Sequence, residues 1–85
     1  MSEIESTLSE REKTHGCFEE HATISQNLKD SLRVGCWDQL SDAQREALEM
    51  IVHKIARILN GNPNHADHWH DIAGYSLLIE KSLGE

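Results

Sequence analysis

The chain has 85 residues, of which fifteen are acidic and eight basic, so its net charge is −7 while the six histidines are neutral. A chain of this length forms one domain and is too short for large enzyme folds such as the TIM barrel. The acidic balance argues against direct binding of nucleic acid or of an anionic membrane through a basic surface. No apolar run approaches the roughly 20 residues of a membrane-spanning helix. The N-terminus lacks the features of a signal peptide, so we expect a cytoplasmic protein.

The chain is predicted to be a single all-α domain over residues 1–85, because no segment alternates apolar and polar residues as a half-buried strand does. Residues 1–15 are polar and weakly periodic, which predicts a short or frayed helix that ends by Gly16. A second helix is predicted from Cys17 to about Val34, where Gly35 stops it. Its apolar residues recur at helical spacing: Phe18, Ala22, Ile24, Leu28 and Leu32.

The third helix has the clearest start signal. Ser41 is followed three positions later by Gln44, the spacing of a capping box. An apolar face on a 3.6-residue period follows as far as Asn60 and Gly61. We expect Gly61 to end this helix in the left-handed conformation.

The fourth helix is predicted from Pro63 or Asn64 to near Leu83. Its apolar stripe is widened by Leu77 and Leu78 to most of the helix circumference. Such a helix is usually covered on more than one side. We therefore expect a small bundle of three main helices and a short N-terminal helix, assembled into a homo-oligomer with Leu77 or Leu78 at the contact.

Two polar clusters are candidate sites for chemistry. On the fourth helix, Asp67, His68 and Asp71 share one face and combine carboxylate and imidazole, which suit a divalent metal. The alternative is that the acidic residues only complement the helix dipole and that the histidines face solvent.

The third helix carries Glu46 and Glu49 three positions apart, followed by the cations Lys54 and Arg57. These residues predict either an exposed ladder of ion pairs or two metal-binding carboxylates above two phosphate-binding cations.

Together, Glu46-x-x-Glu49 and the later His68-x-x-Asp71 resemble the signature of the all-α nucleoside triphosphate pyrophosphohydrolases of the MazG and dimeric dUTPase type. In that family, Glu-x-x-Glu and Glu-x-x-Asp pairs hold magnesium ions. The resemblance implies Mg or Mn at Glu46, Glu49 and Asp71, whereas His68 stands where a glutamate is expected. An antiparallel helix pair would set the four side chains against each other.

A second resemblance covers residues 10–78 and is to small phage and prophage proteins, with segments similar to a domain associated with phage nucleotide modification. It rests on residues 10–11, 14–16, 18, 54–58, 61–62, 67–69 and 71–75. This resemblance implies a site that includes Lys54, Arg57, Asp67, Asp71 and Tyr75. His15 and Gly16 would form another wall of that site.

These observations predict a phage or prophage accessory protein that binds a nucleotide or other phosphate ligand with a divalent metal. Lys54, Arg57 and Tyr75 would contact the ligand. Any catalysis would be metal-dependent hydrolysis of a nucleoside triphosphate to its monophosphate and pyrophosphate. The alternative is a non-enzymatic protein whose acidic surface binds a host or phage protein.

Overall fold

Four α-helices account for most of the chain in the computed structural model, which describes residues 3–84. In chain order they are α1 (Glu3–His15), α2 (Phe18–Ser31), α3 (Asp42–Asn60) and α4 (Ala66–Ser82). A short 3-10 helix, Trp37–Gln39, lies between α2 and α3. No strand occurs in the described part, which confirms the all-α prediction. No helix within residues 3–84 is both long and apolar enough to cross a membrane.

The start of α3 has the predicted capping box. Gln44 N donates to Ser41 Oγ at 3.1 Å, and Ser41 N donates to Gln44 Oε1 at 2.9 Å. The preceding 3-10 helix is held to the same turn by Arg45, whose Nε donates to the carbonyl oxygen of Trp37. Trp37 is buried, so this connection packs as part of the core.

The end of α3 falls at Asn60 as predicted, but the conformation predicted for Gly61 is wrong. Gly61 has φ −129° and ψ −129° rather than a left-handed cap. Close packing explains this glycine, because a Cβ there would collide with the backbone of Thr14 and His15. Asn62 N also donates to the Thr14 carbonyl oxygen at 2.9 Å, so the end of α3 is bonded directly to the end of α1.

The junction between α1 and α2 is attached to the same place. Gly16 has φ +78°, and a Cβ on it would collide with Asn60. The Asn60 side chain donates to the carbonyl oxygens of His15 at 3.1 Å and Cys17 at 2.8 Å. Residues expected to form a short or frayed helix therefore form a 13-residue helix whose last turn is fixed over α3.

The second helix ends earlier than predicted, at Ser31 rather than about Val34. Leu32 N and Arg33 N bond to carbonyl oxygens three residues back, so the chain tightens into turns before it reaches Gly35. Gly35 then has φ +58° and redirects the chain toward Trp37.

The main helices form an open layer with α3 in the middle. In the described part of the chain, α3 packs extensively on α2 and α4, whereas α2 and α4 hardly touch each other. The buried apolar residues of the described part are correspondingly few: Trp37, Ala47, Val52 and Ala56. α1 has no buried residue and contacts only one end of this layer.

Candidate functional site

A cleft of about 290 Å³ lies where the end of α1, the start of α2 and the last turns of α3 meet. We call it the basic cleft and define it by its two arginines and two histidines, Arg11, His15, His21 and Arg57. Leu8 and Phe18 form its apolar walls, and Glu12 and Gly16 complete the lining. Three helices of the described chain thus form one concave surface that carries both charged and apolar side chains.

Local helix geometry explains how the cleft is assembled. Arg11 and His15 are four residues apart on α1 and therefore lie on one face of that helix. The glycine contacts at Gly16 and Gly61 hold this face close to α3, where Arg57 lies in the last turn. Because the ends of α1 and α3 lie close together, Arg11 and Arg57 line one cavity although they are 46 residues apart in sequence.

Two like charges face this cavity. The pKa of Arg57 lies below its usual value, mainly because of burial and then because of the positive charge of Arg11. The carboxylate of Asp71 acts in the opposite direction, but no ion pair within 4.0 Å joins an acidic group to either arginine in residues 3–84. The two guanidinium groups therefore repel each other and neither forms an ion pair in the described residues, although the Glu12 carboxylate also lines the cleft.

His15 connects the cleft to a cluster of three imidazoles, which we call the histidine cluster: His15, His65 and His68. His15 Nδ1 lies 3.3 Å from His68 Nε2, and the rings of His65 and His68 are 4.7 Å apart between centroids. His15 Nδ1 is also 3.1 Å from the Thr14 hydroxyl. These three residues come from the end of α1 and the first turn of α4, so the cluster packs the two helices together.

Two imidazoles of this cluster, those of His15 and His68, have lowered pKa values and are neutral at pH 7. Burial, with a smaller contribution from Arg57, lowers the pKa of His15 to about 4. Burial also lowers the pKa of His68, which is only 2% exposed. The alternative that these histidines are ordinary solvent-facing residues is therefore wrong for His68.

A second pair of imidazoles connects the lining of the cleft to α3. His21 and His53 stack edge to face with ring centroids 4.6 Å apart, across the α2–α3 contact. Burial lowers the pKa of both rings, that of His53 to about 4. His21 is 4% exposed, and its Nδ1 is buried without a hydrogen-bond partner in the described part of the protein. An unpaired N–H is costly to bury, so we assign the ring proton to Nε2.

Lys54, predicted to bind phosphate, is occupied elsewhere. Its Nζ donates to Asp71 Oδ2 at 2.9 Å, and its side chain is 13% exposed. The hydrogen bond from Lys54 lowers the pKa of Asp71. The pair links α3 to α4, so the Lys54 ammonium is bonded to Asp71 and lies outside the basic cleft.

The structure does not bring the predicted metal ligands together. Glu46 is exposed and Glu49 half-buried on α3, whereas Asp71 lies opposite Lys54. Along the helix axis, Glu46 is about 12 Å from Lys54. In residues 3–84, no three His, Cys, Asp or Glu side chains are grouped so that they could hold a metal ion.

The remaining predicted site residues lie apart from the basic cleft. The Asp67 carboxylate is exposed and lies 3.9 Å from His65 Nε2. Tyr75 lines a shallow depression on α4 with Asp71, Gly74 and Leu78. Of the three predicted ligand-binding residues, Arg57 alone lines the cleft.

The sequence interpretation assigned no ligand-binding role to Arg11 or His21. A signal for Arg11 was present, since it precedes His15 by four positions and both must share a helix face. His21 carried no comparable signal, because its position on α2 relative to α3 depends on tertiary packing.

Comparison with known proteins identifies a family but no characterised relative. Residues 1–82 match DUF6378, described as a domain of unknown function. No curated protein and no solved structure matches the chain.

Proposed function

We propose that this chain, which belongs to the DUF6378 family, binds a small phosphate-bearing molecule in the basic cleft. The observation that carries the proposal is the pair of guanidinium groups of Arg11 and Arg57, which line one cavity without a carboxylate within 4.0 Å in the described residues. Placing two like charges together costs free energy, and a phosphate dianion between them would turn the repulsion into attraction. Arginine is suited to this role because its planar fork matches two phosphate oxygens.

The neutral histidines support the same ligand chemistry. A neutral imidazole supplies one N–H donor and adds no charge, so His15 and His21 can orient phosphate oxygens without increasing the repulsion between the arginines. The proton that we assign to Nε2 of His21 makes this atom the donor of that ring.

The apolar walls indicate that the ligand is more than a bare phosphate. Phe18 is 74% exposed and Leu8 is 53% exposed, although both line the cleft. An exposed aromatic ring beside a cationic site can stack against a nucleobase. The volume of about 290 Å³ is at the small end of ligand pockets, which favours a mononucleotide over a larger molecule.

Calorimetric titration tests this proposal with inorganic phosphate and with adenosine monophosphate. We expect both to bind, the nucleotide more tightly, and Arg57→Gln to weaken binding at least about tenfold because a charged hydrogen bond is worth roughly 1.5–3 kcal/mol. Arg33→Gln removes the same charge from an exposed position outside the cleft and is the matched control. Absence of binding by the wild type, or equal losses in the two variants, would refute the proposal.

The metal prediction is tested separately from the cleft. If magnesium or manganese joins the ligand at Glu46, Glu49 and Asp71, as the MazG resemblance implies, the metal should increase nucleotide affinity. Asp71→Asn should then abolish that increase while binding in the absence of metal persists. Phage origin and hydrolytic activity stay predictions from the sequence.

A further inference from the structure

The outer face of α4 is exposed although α4 is the most apolar of the four helices. We define this face as Ala73, Gly74, Leu77 and Leu78, in which Gly74 neighbours both leucines, and Ala73 neighbours Leu77, at spacings of three or four residues. All four are exposed, Leu77 at 47% and Leu78 at 64%. The one buried residue of α4 is His68, so packing against α3 fully covers none of its apolar side chains.

The exposed area of the whole chain is larger than its mass requires. It is 6186 Å², whereas a folded monomer of 9.7 kDa is expected to expose about 5,100 Å². The excess, about 1,000 Å², is similar to the roughly 800 Å² that each partner buries in a standard protein interface. Both α1, which has no buried residue, and the exposed face of α4 contribute to this excess.

Gly74 indicates that a helix of another molecule packs on the outer face of α4. Glycine inside a helix is destabilising relative to alanine, and at this position no atom lies within 4 Å of where a Cβ would be. Packing within the described chain therefore gives no reason for a glycine here. A helix from another molecule could use the space, because a glycine lets two helix backbones approach closely.

We propose that two copies of this chain associate through the outer faces of their α4 helices. This face carries two exposed leucines, Leu77 and Leu78, beside a shallow depression at Gly74, which we call the notch, so it can match a second copy of itself. A two-fold axis would place the leucines of one copy over the notch of the other, as an interface between identical surfaces requires. The matching of leucine and notch on one face favours a second copy over an unrelated partner.

Sedimentation velocity from micromolar to millimolar concentration tests this interface. We expect the wild type to sediment with about twice the monomer mass and Leu78→Glu to sediment as a monomer with its helical circular dichroism retained. Leu59→Glu places the same charge at a leucine that is 65% exposed on α3 and should stay dimeric. A monomeric wild type over the whole range, or dissociation by Leu59→Glu and not by Leu78→Glu, would overturn the proposal.

Two further measurements do not depend on the folding of the leucine variant. The melting temperature of the wild type should rise with protein concentration, because association stabilises the folded state by mass action. Gly74→Ala should weaken association severalfold, although alanine favours the helix of an isolated chain. A melting temperature independent of concentration, or tighter association in Gly74→Ala, would contradict the proposed interface. Phosphate binding by the basic cleft is measured separately from dimerisation. The dimer proposal can therefore be refuted without refuting the phosphate site, and the reverse also holds.

Discussion

Mild acid should destabilise the protein, because its buried imidazoles are neutral in the folded state. The pKa values of His15 and His53 are about 4 in the folded chain, against 6.5 for an unperturbed histidine. Between these values the unfolded chain binds more protons than the folded chain, so stability falls as the pH falls. The stabilisation is complete above about pH 6.5 and is lost progressively as the pH drops toward 4.

The magnitude follows from the same pKa values. For one such ring, linkage gives a loss of at most about 2 kcal/mol in unfolding free energy between pH 7 and pH 5. Water still reaches part of both rings, so we take about half of this value for each. The expected loss is therefore about 2 kcal/mol for His15 and His53 together. His21 and His68 act in the same direction, since burial also lowers the pKa of each.

Urea unfolding followed by circular dichroism at several pH values measures this effect. We expect His53→Gln to remove about 1 kcal/mol of the pH dependence, because it deletes one of the two rings. The control is Asn27→Gln, at an exposed position on α2, which removes no titratable group and should keep the slope of the wild type. An unfolding free energy that is constant or rises from pH 7 to pH 5 would refute the reasoning.

Two further predictions concern the ends of α3. Ser41→Ala removes the acceptor for Gln44 N and should cost about 1 kcal/mol in urea unfolding, whereas Ser9→Ala, at an exposed position inside α1, should cost much less. Gly61→Ala places a Cβ against the backbone of α1 and should cost about 1–3 kcal/mol or more. A neutral effect of Gly61→Ala would show that the ends of α1 and α3 do not pack as described.

Local signals predicted the helices well where a short stretch of sequence determines the structure. The start of α3 depends on Ser41 and Gln44, which lie one turn apart, and both hydrogen bonds of the box are present. The end of α3 was predicted at the right residue for the wrong reason. Gly61 is required by the backbone of α1, which is 46 residues earlier in the chain, and a local pattern contains no information about that contact.

The candidate site was predicted only in part, because it depends on tertiary packing. Arg57 was identified from its place on the polar stripe of the third helix and from the family resemblance, but the sequence could not show that Lys54 would pair with Asp71. His68 lies in a polar run that suggested an exposed cluster or a metal ligand, yet α1 covers it and His15 lies against it. His65 and His68 are three residues apart, but the contact of His15 with them joins distant parts of the chain, and no sequence spacing indicates it.

The most direct test of the basic cleft is a nuclear magnetic resonance titration of the arginine side chains with inorganic phosphate. The Nε–Hε signals of Arg11 and Arg57 should shift together and saturate with one dissociation constant, since both guanidinium groups would contact the same anion. The signals of Arg33 and Arg45 should stay nearly unchanged, because these residues lie outside the cleft. Equal, unsaturated shifts of all four signals would contradict a phosphate site between Arg11 and Arg57.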